Sequence, residues 1–326
     1  MTDALLPSHE DLSICFAHHA YDLKATFDAR ETGMTSFQVS SVEDLRHRLP
    51  EADVLVCSGL WHNDMLEDAP RLRFLQSVSS GTNAYDLAAF REHGVMLASG
   101  AGANMNAVSE HAMALLLALT RRLGLARDKQ ARRTWGDEQS DPSRRARELP
   151  GRTLLLVGLG HIGNRIALLA RAFGMRVTAV RRNAEAGRGH ADEVHPFGAL
   201  PELIPAADAV VLCCPLTDET ANLIDADALS RFRPDAVLIN VARGGCVDEP
   251  ALIEALRTGT LAGAGLDVTA TEPLPGNSPL WDMENVILTP HTAGETAAFE
   301  GNVIDILIEN LSKLRAGNAD LTNRAA

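Results

Sequence analysis

The stretch Leu154-Leu155-Leu156-Val157-Gly158-Leu159-Gly160-His161-Ile162-Gly163 decides the fold. Four apolar residues read as a buried strand. Glycines spaced G-x-G-x-x-G follow at once, and the helical pattern Ile162 to Phe173 opens among them. Strand, glycine turn and helix in that order make a dinucleotide-binding unit; the glycine spacing alone would not. Gly158 makes the tight turn, Gly160 lets backbone approach a pyrophosphate, and Gly163 lets the helix pack on its strand. The pyrophosphate belongs on the helix N-terminus, with its unpaired N–H groups and favourable dipole.

Downstream, Arg176 to Val180 reads as the second strand, and Arg181-Arg182 follows it. Arg181 stands where NAD-binding proteins carry an acidic residue for the ribose 2′-hydroxyl. A guanidinium pairs with a 2′-phosphate that a carboxylate would repel. The expected cofactor is therefore NADP(H) in preference to NAD(H), with Asn183 adding a hydrogen bond. Ala209 to Cys213, Val237 to Asn240, Ala264 to Val268 and Val286 to Leu288 read as further strands, with helices such as Ala251 to Arg257, closed by Gly259, between them. That alternation implies an α/β, doubly wound parallel sheet.

Upstream, Ile14 to Ala17, Val54 to Cys57, Phe74 to Val78 and Val95 to Ala98 read as strands of a smaller α/β domain. Asp86 caps a helix that runs to His93 and stops at Gly94. A long helix is expected from about Asn104 to Arg127. Its segment Ala112 to Leu119 is apolar nearly all round, which demands burial either within the chain or at a subunit interface. Residues 128–150 are polar and Arg-rich, a loop or arm whose only aromatic residue is Trp135. The last helix, Thr296 to Arg315, is expected to return to the first domain.

A length of 326 residues favours two domains. A formal net charge of −13 argues against nucleic acid or an anionic membrane as partner. Asp3 stands where a signal peptide would be basic, and the longest apolar run is too short for a membrane span. A cytoplasmic protein is expected. The five cysteines form no CxxC, and no metal site is expected.

The remaining motifs are Asn240-Val-Ala-Arg243-Gly-Gly-Cys-Val-Asp-Glu249, Gly263-Ala-Gly-Leu-Asp267-Val, Glu272-Pro-Leu-Pro275 and Asn285-Val-Ile-Leu-Thr-Pro-His291. Arg243, Glu272 and His291 all fall just past predicted strands, at the edge where open α/β sheets bind ligands. With Gly81-Thr-Asn-Ala-Tyr-Asp86 and Gly102-Ala-Asn-Met-Asn-Ala-Val-Ser-Glu110, these motifs resemble the D-isomer-specific 2-hydroxyacid dehydrogenase family over nearly the whole chain, its glyoxylate/hydroxypyruvate reductase-like members in particular.

The resemblance implies roles. Arg243 would hold the carboxylate and carbonyl oxygen of a small 2-keto acid. His291 would protonate that oxygen as hydride arrives from the nicotinamide, and Glu272 would bond the other ring nitrogen and favour the imidazolium. Backbone amides at Ser80 and Gly81 would take the substrate carboxylate. Trp135 would reach a neighbouring subunit's active site. Asp267 would orient the nicotinamide carboxamide, and Asn104 would mark the hinge. The implied cofactor contacts are Gly158, Gly160, His161, Ile162, Gly163, Arg181, Arg182, Cys214, Pro215, Thr220, Val241, Ala242, Arg243, Asp267, His291 and Gly294.

The resemblance also implies a Rossmann cofactor domain over residues 103–292, carrying a dimerisation helix and arm. It would be inserted in a smaller flavodoxin-like substrate domain of residues 1–102 and 293–326, with closure about hinges near Gly102 and Thr292 and a homodimer as the assembly. Only 35 residues follow His291, so no C-terminal regulatory domain is expected. Glu272 in place of glutamine, and Thr289 before Pro290-His291, speak against a formate dehydrogenase. The alternatives are a dehydrogenase of bulkier 2-keto acids and a dinucleotide-sensing corepressor-like scaffold. A phosphite-oxidising relative is less compatible with Arg181.

Overall fold

The computed structural model describes residues 5–136, 140–142 and 145–326. The chain forms two compact units, Met1–Asn104 with Thr296–Ala326, and Met105–Glu295.

The first unit is built on β1 (Ser13–Ala17), α1 (Leu23–Asp28), β2 (Thr35–Val39), α2 (Val42–Arg48), β3 (Val54–Cys57), β4 (Phe74–Ser77), α3 (Leu87–Glu92) and β5 (Met96–Ala98). Its sheet is parallel, in the order β2-β1-β3-β4-β5. Side chains alternate along each strand, so each strand feeds two cores. Cys15, Ala17, Leu55 and Cys57 face one core with Leu45 and Phe90. Ile14, Phe16, Val54 and Val56 face the other, which the helix Phe299–Arg315 closes with Val303, Leu307 and Leu311. Asp86 caps α3 through the Ala88 and Ala89 amides, and Gly94 follows with φ +68°. β2 was not expected. It lies at the sheet edge and alternates Thr35, Ser36 and Gln38 with apolar residues, so it shows no continuous apolar run.

The second unit comprises α4 (Met105–Thr120), α5 (Leu123–Ala131), β6 (Thr153–Val157), α6 (His161–Ala172), β7 (Arg176–Val180), β8 (Glu193–His195), α7 (Leu200–Leu203), β9 (Ala209–Leu212), α8 (Ala226–Ser230), β10 (Val237–Asn240), α9 (Glu249–Thr258), β11 (Gly263–Leu266) and β12 (Val286–Leu288); the helix Phe299–Arg315 of the first unit is α10. The parallel sheet runs β12-β11-β10-β9-β6-β7-β8. The chain winds outward from β6 to β8, then returns to lay β9 beside β6 and winds the other way. The strand order therefore reverses between β6 and β9, the place where such sheets bind ligands. β8 is a second polar edge strand that the apolar pattern did not reveal.

The single long helix expected to reach Arg127 is a correction. It breaks after Thr120: Arg122 takes a left-handed φ of +57° and α5 starts at Leu123. Thr120 Oγ1 donates back to the Leu116 carbonyl at 2.8 Å, and the Thr120 carbonyl accepts Arg147 N–H at 2.8 Å from outside the helix. Both bonds compete with helix continuation. The part expected to be arm thus begins as helix, up to Ala131. Val108, Ala112, Met113, Leu115 and Leu116 bury α4 in this unit's core, while Leu117 and Leu119 stay half-buried. Gly265 permits the close packing, since a Cβ there would lie 3.0 Å from the Leu115 Cβ.

Candidate active site

β10, β11 and β12 are parallel neighbours, so their carboxyl ends share one edge. Arg243 follows β10, Glu272 follows β11 and His291 follows β12. A Cβ on Gly244 would sit 1.9 Å from the Thr269 carbonyl oxygen, so glycine alone lets the Arg243 turn press against the loop after β11. In that loop the Thr269 amide donates to Glu272 Oε1 at 3.1 Å. Glu272 Oε2 accepts from His291 Nδ1 at 2.7 Å. A carboxylate only accepts, so Nδ1 carries the hydrogen and Nε2 is the nitrogen left for another partner. The two side chains are 47% and 38% exposed, so the pair orients the imidazole and contributes little to stability, ~0–1 kcal/mol.

Arg243 is exposed, and its Nη1 donates to the Ala242 carbonyl at 2.6 Å. It makes no ion pair among the described residues, so most of its fork stays available to an anion. Buried Asn240 clamps the turn that presents it: Oδ1 accepts Ala242 N–H at 3.0 Å and Nδ2 donates to the Arg243 carbonyl at 3.0 Å. Val241 and Ala242 are buried beneath the turn. The sequence reading missed Asn240. Its signal was a polar residue closing an otherwise apolar strand.

The glycine turn fits a dinucleotide. Gly158 has φ +104°, and a Cβ there would lie 2.9 Å from the Cys214 backbone nitrogen across the switch point. A Cβ on Gly163 would lie 2.2 Å from the Gly158 carbonyl oxygen, so α6 can start this close only with glycine. Nothing lies within 4 Å of a Cβ on Gly160, which leaves its approach open. No side chain caps α6, so the amides at its His161–Ile162 start remain for an anion. Arg181 follows β7, where its Nη1 makes a 3.4 Å hydrogen bond to the Gly187 carbonyl and no ion pair among the described residues. Arg182 pairs instead with Glu219 at 3.2 Å.

Other expected cofactor residues are differently engaged. Thr220 is buried, and its hydroxyl bonds the Pro215 carbonyl at 2.7 Å and the Thr217 amide at 2.8 Å. It shapes the Cys214–Pro215 turn from within. A hydrogen bond from Cys214 pulls the buried Cys246 thiol down to about 7 and pushes Cys214 up. Asp267 is 3% exposed, and its carboxylate binds Thr289, Thr292 and Ala293 of the His291 loop. Gly294 lies half-buried in the turn after that loop.

From β12 to β7 the edge spans five inter-strand steps of about 4.8 Å each. His291, Glu272 and Arg243 stand toward one end, and the glycine turn and Arg181 toward the other. In the first unit, exposed Ser80 and Gly81 follow β4, where Ser79 and Ser58 hydroxyls bond at 2.6 Å. Asn104 Oδ1 is buried with no hydrogen-bond partner among the described residues. Trp135 is fully exposed past α5. No described helix is long and apolar enough to cross a membrane.

Residues 113–293 match the model of the D-isomer specific 2-hydroxyacid dehydrogenase NAD binding domain. The chain belongs to this family. It is 33% identical to glyoxylate/hydroxypyruvate reductase B of Pectobacterium carotovorum over 93% of this chain and 94% of that protein. It is 34% identical to D-3-phosphoglycerate dehydrogenase of Mycobacterium tuberculosis over 82% of this chain, and spans only 50% of that relative's length. Among solved structures it is similar to a family member from Xanthobacter autotrophicus in complex with NADPH and MES (TM-score 0.79, 26% identity, 97% of this chain and 98% of that chain). The doubly wound second unit and the smaller parallel α/β unit are the fold of this family.

Proposed function

We propose that the chain is an NADP(H)-preferring oxidoreductase of the cytoplasm that reduces small 2-keto acids, glyoxylate or hydroxypyruvate foremost, to D-2-hydroxy acids. The observation that carries this reading is the 2.7 Å Glu272–His291 pair on the same sheet edge as Arg243 and the glycine turn. Bound on the glycine turn, the cofactor supplies hydride. Arg243 grips the carboxylate and keto oxygen with two fork donors, which sets the carbonyl carbon in place. His291 delivers the Nε2 proton to the keto oxygen, and Glu272 fixes the ring through Nδ1. Ser80 and Gly81 of the first unit are assigned to the substrate carboxylate on the family resemblance alone.

The substrate guess is supported by the end-to-end similarity to a glyoxylate/hydroxypyruvate reductase. The NADP(H) preference is supported by Arg181 at the position of the 2′-hydroxyl acid, and by a family structure that holds NADPH. The cytoplasmic location is supported by five free cysteines, as a reducing compartment keeps them. The homodimer is supported by the half-buried Leu117 and Leu119 on α4 and by the exposed Trp135, which would extend to the neighbouring subunit.

The test is initial-rate oxidation of NADPH and of NADH with glyoxylate, hydroxypyruvate, pyruvate, phenylpyruvate and 2-ketoisocaproate. Turnover is expected with NADPH and the two smallest polar acids. Arg243→Ala should lower kcat/KM at least a thousandfold, about 4 kcal/mol of transition-state binding, and leave NADPH affinity unchanged. Wild-type turnover in that variant would overturn the assignment.

A further inference from the structure

His291 is held from beneath by a chain of hydrogen bonds that involves neither Glu272 nor Arg243. Thr289 Oγ1 donates to Asp267 Oδ1 at 2.6 Å. Its proton therefore points at the carboxylate, and the same oxygen must accept from His111 Nε2 at 2.9 Å. His111 stands on α4, and its Nε2 lies 3.6 Å from Asp267 Oδ1. The Asp267 carboxylate also accepts the Thr292 amide at 2.9 Å and the Ala293 amide at 3.1 Å. The Asp267 carbonyl accepts the His291 amide at 2.8 Å. Residues 289–293 are thus tied to a single buried aspartate on both sides of His291.

The loop needs these ties. His291 has φ +56°, a left-handed conformation that a side-chain-bearing residue adopts only when its surroundings enforce it. Relaxation to a negative φ would carry the imidazole away from Glu272. A carboxylate as buried as Asp267 needs most of its acceptor sites filled, and the Thr289 hydroxyl fills one only while it is correctly turned. A threonine hydroxyl rotates freely unless its oxygen is also engaged.

We infer that His111 and Thr289 are positioning residues for His291: the His111 Nε2–H turns the Thr289 hydroxyl onto Asp267, and Asp267 then locks the loop that presents the imidazole. This rests on the assignment of His291 as the proton donor. It makes α4, a helix remote in sequence from every catalytic motif, part of the machinery.

The test compares His111→Leu, Thr289→Val, His111→Gln (whose amide restores an N–H donor) and His291→Gln. Hydrogen exchange at the Thr292 and Ala293 amides should rise at least tenfold in His111→Leu and Thr289→Val, and return toward wild type in His111→Gln. With the best keto acid of the panel, kcat should fall at least tenfold in the first two variants, with KM and NADPH Kd within twofold. The double variant His111→Leu/Thr289→Val should be no slower than Thr289→Val alone, since both break one chain of bonds. Unchanged exchange, losses that multiply, or a fall shared equally by KM and NADPH binding would overturn the inference. Wild-type activity in His291→Gln would overturn the proton-donor assignment instead, and the exchange measurement would still decide whether the lock exists.

Discussion

At the scale of single residues, the site is a set of polar side chains aimed by buried polar partners. Asn240 aims Arg243, and Asp267 aims His291. Each aiming residue is itself nearly inaccessible, at 1% and 3% exposure, so its bonds are not shared with water. Among the described residues the Arg181 side chain has no such partner and makes only a long bond to the Gly187 carbonyl. Its guanidinium is therefore available to a 2′-phosphate. Arg181→Asp should raise the Kd for NADPH at least tenfold and that for NADH less than threefold, as measured by fluorescence titration. Equal weakening of both would show that Arg181 does not read the 2′-phosphate.

At the scale of elements, most boundaries follow from local chemistry. Asp248 caps α9 through the Ala251 amide, Pro250 sits in its first turn, and Gly259 ends it with φ +76°. Gly259→Ala would force an alanine into the left-handed region at a cost of about 1 kcal/mol. The expected result is a melting temperature lower by roughly 2–4 °C, with kcat unchanged, since Gly259 lies at the opposite end of the βα units from the catalytic loops. The apolar pattern revealed the interior strands and also two apolar edge strands, β5 and β12. β2 and β8 were illegible because these two edge strands carry polar side chains that break the apolar run. The break between α4 and α5 was illegible for another reason: the Arg147 amide that takes the Thr120 carbonyl is remote in sequence.

At the scale of the whole molecule, the chain order carries information. A strand–glycine turn–helix unit in mid-chain, with a smaller parallel sheet before it and a helix of that smaller unit after it, is an insertion architecture. If α4 and the segment around Trp135 form a subunit interface, light scattering should give twice the chain mass of 35.0 kDa. A monomer at micromolar concentration would show that Trp135 is simply exposed apolar surface and that Leu117 and Leu119 only pack half-buried on their own core.

What the sequence by itself determined was local in origin: the dinucleotide turn, the apolar strands, the helix stops at Gly94 and Gly259, and the identity of Arg243, Glu272 and His291 as residues past strand ends. Each depends on a residue type and its immediate neighbours, and those are legible along a line. Only the tertiary structure decided that Gly244 packs on Thr269 and that Arg182 pairs with Glu219. The same holds for His111, which stands 178 positions from Thr289 yet bonds it at 2.9 Å. Such pairings arise from the parallel winding of the sheet, which brings distant loops to one edge. No local propensity encodes which of their polar atoms will meet there.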